Sequence, residues 1–89
     1  MVQQSVPARN PQVVDSRLAG GEAVLLHLVS GAYHELNSVG AAIWDRIDGL
    51  RTETEIAEEM RRLVEDPPDD LEAVITDFLV EMRKRDLVS

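Results

Sequence analysis

The chain has 89 residues, 44% of them hydrophobic and 29% charged, which describes one small domain with a core of its own rather than a disordered segment. Its net charge of −8 argues against nucleic acid and anionic membrane as partners, because both are held by cationic surface. Without cysteine there is no disulfide, thiolate nucleophile or Cys-based metal site, and the longest apolar run, Ala23 to Leu26, falls far short of the ~18 residues of a membrane span.

Residues 1–10 are polar, include Pro7 and lack periodicity; they read as a flexible tail before a domain at 11–89. No basic-then-apolar segment opens the chain, so the cytoplasm is the expected compartment. Val13, Val14 and Leu18 flank a short polar stretch and predict a weak first strand. Gly20 and Gly21 supply the positive φ of a turn. Ala23 to Val29 (AVLLHLV) is apolar on both parities, as in a central strand. Ser30-Gly31 predicts a two-residue hairpin connection, and Ala32 to Leu36 a third strand on an outer edge of an antiparallel meander.

After Leu36 the period becomes helical. Asn37-Ser38 caps a first helix with Val39, Ile43, Trp44 and Ile47 at three- and four-residue spacing, ending near Gly49; Trp44 is expected in the core. Thr52 to Glu55 is a capping box opening a second helix with the stripe Ile56, Ala57, Met60, Leu63 and Val64, stopped by Pro67-Pro68. Asp69 or Asp70 caps a third, whose stripe is Leu71, Val74, Ile75, Phe78, Leu79 and Met82. Leu87 and Val88 should fold back onto the core. The fold class is α+β, a three-stranded antiparallel sheet followed by three helices in a winged helix-turn-helix-like arrangement. The acidity is uneven, with two basic against three acidic residues up to Leu36 and seven against fourteen after it. Part of it sits at helix starts and complements the helix dipoles.

Little catalytic chemistry is available. His27, His34 and Glu35 are the only metal or acid–base group to consider, and His34 and Glu35 point to opposite faces of one strand. A zinc site needs three or four converging ligands, so packed or surface histidines are expected, with no catalytic residue, no metal and no cofactor. An acyl carrier protein is disfavoured because Asp15-Ser16-Arg17 places Arg where that family has Leu, and in a strand. A DNA reader of the winged type needs a basic recognition helix, whereas the third helix carries Asp69, Asp70, Glu72, Asp77, Glu81 and Asp86. An acidic winged-helix interaction or regulatory domain stays open as a reading of another class. The third strand, with one charge and no Pro, leaves an edge that another chain can pair with, which favours a peptide-binding module.

The run Val24-Leu25-Leu26, Gly31-x-Tyr33-x-x-Leu36-Asn37, Gly40-Ala41-x-Ile43-Trp44, Asp48-Gly49, Thr52-x-x-Glu55-Ile56-Ala57, then Phe78-Leu79-x-x-Met82 and Leu87, resembles the PqqD family over about residues 7–88. Asp86 departs from it, standing where the family often has glycine before the final Leu. The resemblance implies a RiPP recognition element, which holds the leader of a ribosomally made precursor peptide as an added strand beside strand three, in a groove walled by the third helix. The wording is most similar to stand-alone versions in lasso-peptide clusters. Those imply delivery of the leader to a transglutaminase-like cysteine protease and, beyond it, to an asparagine-synthetase-like cyclase. The runner-up within the family serves a radical-SAM peptide modifier or pyrroloquinoline quinone assembly.

On that reading the backbone of Gly31, Ala32, Tyr33, His34 and Glu35 pairs with the leader. The expected side-chain contacts are Tyr33, Glu35, Asp77, Val80 and Glu81, with Leu28 and Val74 as pocket walls and Lys84 on the same flank. Asp77 and Glu81 lie one helical turn apart; facing the groove, they would favour a leader with Lys or Arg.

Overall fold

β1 (Val13–Arg17), β2 (Ala23–His27) and β3 (Tyr33–Leu36) form an antiparallel sheet in the order β1-β2-β3. The computed structural model describes residues 6–89, so Met1 to Ser5 of the expected tail lie outside the described residues. β2 is central as its composition predicts, yet only Ala23, Leu25 and His27 are buried; Val24 and Leu26 face outward. The buried residues of β2 and β3 alternate onto one side of the sheet, so the other side is left to solvent. The hairpin after β2 is longer than the expected two residues. His27 N–H donates to Ala32 O at 2.9 Å, and Gly31, at φ 78°, donates to His27 O at 2.8 Å. The buried His27 ring stabilises this wider loop, because its Nδ1 accepts from Val29 and Ser30 N–H at 3.2 Å each. Nε2 therefore carries the proton and faces Asp86 Oδ2 at 3.1 Å.

α1 (Ser38–Arg46) starts at Asn37, whose Oδ1 accepts Gly40 N–H at 2.8 Å. α2 (Glu53–Leu63) starts at the expected capping box, with Thr52 and Glu55 satisfying each other's amides. Between them Asp48 Oδ1 accepts from Leu50 and Arg51 N–H at 2.9 Å each, which holds the Asp48 carboxyl below its ordinary range. α3 (Leu71–Lys84) has Asp70 at its N-cap, but the Asp70 side chain makes no capping bond. Its C-terminus closes with Asp86 N–H on Arg83 O and Leu87 N–H on Met82 O, the paired bonds of a Schellman turn. Asp86 takes the left-handed position itself, at φ 59°, and Asn10 Nδ2 anchors it by donating to Asp86 O at 2.8 Å. Asp tolerates this conformation better than most side chains, which explains how the chain dispenses with glycine there.

The core is built from Leu25, Ile43, Trp44, Ile47, Ile56, Met60, Leu71, Ile75 and Leu79, closed by Leu87 and Val88 as expected. Of the predicted stripes, Val64 and Phe78 are half-buried and three positions are exposed. Leu63 is 54% exposed, and Val39 and Val74 are exposed at the margin of the core, because each lies at the edge of an apolar arc wider than the surface its helix buries. The described part of the expected loose tail is also packed. Pro7 is fully buried, Arg9 pairs with Val88 and lies 5.2 Å over the Trp44 ring, and Arg9 Nε donates to Ile47 O at 2.9 Å.

Truncation should separate core from margin. Leu25→Ala is expected to cost about 2–5 kcal/mol, read as a fall in the urea midpoint, whereas Leu63→Ala should change stability by less than about 0.5 kcal/mol.

Candidate functional site

The two edges of the sheet are finished differently. Arg17, on β1, bonds to Asp15 at 3.0 Å and crosses to Asp45 of α1, so paired charged side chains flank that edge. On the other side, antiparallel pairing determines which groups β3 leaves free. His27 and Ala32 form a hydrogen-bonded pair, and the register then sets Leu25 against His34 and Ala23 against Leu36. Hydrogen-bonded and non-bonded pairs alternate, so the N–H and C=O of Tyr33 and Glu35 point away from β2. Two residues with one donor and one acceptor each make four unpaired groups along the edge.

That edge opens onto a groove of about 860 Å³. Leu36, Val39, Gly40 and Ile43 line it from the corner between β3 and α1; Val74, Phe78 and Met82 form its α3 wall. Gly40 allows the wall to come close: a Cβ there would stand 3.3 Å from Phe78 Cε2. The polar groups are His34, Glu35, Asn37, Glu81 and Arg85. Glu81 is paired with Arg85 at 3.4 Å, one helical turn on. Burial lowers the pKa of His34 below its ordinary value, and the cationic Arg85 and the neighbouring His27 add to the shift.

Of the residues singled out in the sequence, Tyr33, His34, Glu35, Val74 and Glu81 line the groove, whereas Leu28, Gly31, Ala32, Asp77, Val80 and Lys84 do not. Gly31 N–H and Ala32 C=O are spent on His27, and Ala32 N–H on Ser30 Oγ at 3.2 Å, so the hairpin consumes groups expected to serve a ligand. Asp77, Val80 and Lys84 occupy the neighbouring arc of α3, since Phe78 turns toward Gly40 and takes the wall position. Tyr33 and Glu35 flank the groove through their backbone; their side chains share the outer sheet face with Leu26 and Val24, their register partners. Val39, Gly40, Ile43, Phe78, Met82 and Arg85 were not expected as lining, and a glycine in the first turn of α1 opposite the single Phe was the signal available. Among the described residues no group of three His, Cys, Asp or Glu side chains could hold a metal ion, and no helix is long and apolar enough to cross a membrane.

Comparison with known proteins gives the following. The family model for coenzyme PQQ synthesis protein D (PqqD) matches residues 22–88. Among solved structures, TbiB1 in complex with the TbiA(beta) leader peptide aligns with a TM-score of 0.81 at 27% sequence identity, over 92% of this chain and 94% of that one. Lasso peptide synthetase B1 complexed with the leader peptide aligns with a TM-score of 0.79 at 21% identity, over 96% and 99%; at that identity the likeness speaks to fold. No curated protein matches the chain significantly.

His34 offers a direct check on the groove's electrostatics. A histidine with a lowered folded pKa favours the neutral form on folding, so its contribution to stability is present above the ordinary value of 6.5 and is lost as pH falls below it. In an NMR titration the His34 ring signals should move with a midpoint below 6.5, and His34→Gln should reduce the loss of stability between neutral and mildly acidic pH.

Proposed function

The chain belongs to the PqqD family, and we propose that it is a RiPP recognition element that holds a precursor's leader segment as a fourth strand beside β3. The observation that carries this reading is the unpaired edge at Tyr33 and Glu35 opening directly onto an apolar groove. Support comes from TbiB1, 27% identical over nearly the whole chain and observed with a leader peptide. The edge supplies affinity without regard to sequence, and alternate side chains of the added strand enter the groove opposite His34. Four backbone bonds at a net ~1 kcal/mol each are comparable with the lower bound on the cost of association alone, ~4 kcal/mol. Apolar anchors against Val39, Val74 and Phe78 must therefore provide the margin.

The protein so read is non-catalytic, a carrier that presents the leader to a transglutaminase-like cysteine protease and then an asparagine-synthetase-like cyclase in lasso-peptide maturation. A precursor meets it on leaving the ribosome, which places it in the cytoplasm. The family description favours one second reading, the same groove serving coenzyme PQQ assembly.

A fluorescently labelled leader from the precursor gene of the same cluster should bind saturably, with Kd micromolar or tighter; no saturation by ~100 µM overturns the reading. Glu35→Pro removes an N–H that points away from β2, so the fold should survive. Leader affinity should fall about fivefold or more from the lost bond. His34→Pro removes a bond to Leu25 instead and should unfold β3, seen by circular dichroism.

A further inference from the structure

The outer face of the sheet carries two cross-strand rows that end at the open edge. Val14 pairs with Leu26 and Leu26 with Tyr33, and these side chains are 44%, 38% and 68% exposed. The adjacent row runs Ser16, Val24, Glu35. Tyr33 and Glu35 are also the two residues whose N–H and C=O turn outward. In an antiparallel addition, the more stable pairing per residue, each is therefore directly opposed by one residue of the incoming strand. Directly opposed side chains share a face with Cβ atoms about 4.5–5.5 Å apart. Glu35 makes no ion pair with any described residue, and its row neighbours are Val24 and Ser16; Glu81, by contrast, is already held by Arg85.

We propose that the protein reads the outer face of its bound strand as well as the face turned into the groove. The segment it selects carries a basic side chain opposite Glu35 and, two residues later, an apolar or aromatic one opposite Tyr33, with the residue between them entering the groove. The apolar row then extends from three members to four, and Glu35 gains the cation it lacks. This rests on strand addition at β3 and adds to it a recognition pattern for the peptide.

The test uses a random linear peptide library displayed on phage, selected on the wild-type chain, on Glu35→Lys and on Tyr33→Thr. Both substitutions are at exposed outer-face positions and leave the core intact. Wild-type selection should enrich a basic residue two positions before an apolar or aromatic one. Glu35→Lys should replace the basic preference with an acidic one while keeping the apolar position, and Tyr33→Thr should relax the apolar position alone. A synthetic peptide from the wild-type set should lose up to about fivefold in affinity on Glu35→Lys, and regain it when its basic residue is changed to Glu. Amide exchange of Tyr33 and Glu35 distinguishes the two ways to fail. Peptides that protect those amides but lack the paired pattern, or keep a basic preference on Glu35→Lys, overturn this inference and leave strand addition standing. If no enriched peptide protects them, strand addition at β3 is itself refuted, and the inference with it.

Discussion

One hydrogen bond, from Gly40 N–H to Asn37 Oδ1 at 2.8 Å, decides where the sheet stops and the helices begin. It ends β3 at the buried Leu36 and starts α1 directly after the cap. The residue that donates is a glycine, and its missing side chain admits Phe78. α3, which packs mainly on α2, thereby meets α1 through Phe78, and the space left between β3 and α3 is the groove. Capping, a local event, and helix packing, a distant one, meet at the same residue.

The sheet's two free edges illustrate opposite treatments of the same hazard. Unpaired strand edges invite association, and β1 carries Arg17, which pairs with Asp15 and Asp45. β3 has no comparable side-chain pair, and its one acidic residue is Glu35. The open edge is kept beside an apolar groove, which is the pattern expected of a surface that accepts a strand.

The order of elements, two of the three helix starts and the outer position of β3 were legible in the sequence, because each rests on short-range chemistry: Asn37 as a cap, Thr52 with Glu55 as a box, paired glycines as a turn. The groove wall was less so. Phe78 falls on the apolar stripe of α3, and periodicity cannot distinguish a residue in the core from one half-buried at its margin. Placing it in the core rotated the inferred groove face toward Asp77, Val80 and Lys84. The packed segment before β1 was hidden for another reason. Pro7 and Arg9 lie among polar residues without a period, and their contacts, to Trp44, Ile47 and Val88, are distant in sequence. His27 likewise looks like an interruption of an apolar strand, and only the fold reveals it holding two loop amides and facing Asp86.

Ser89 N–H donates to Ala8 O at 2.9 Å and Ala8 N–H to Ser89 Oγ at 3.2 Å, so the two ends of the described chain are adjacent. A unit whose ends meet in this way can be spliced between two positions of a longer polypeptide without being stretched. Since the meeting point involves neither Tyr33, Glu35 nor the α3 wall, such a graft leaves the groove facing solvent. The same architecture can therefore stand alone or sit inside a longer chain, with no change to the groove.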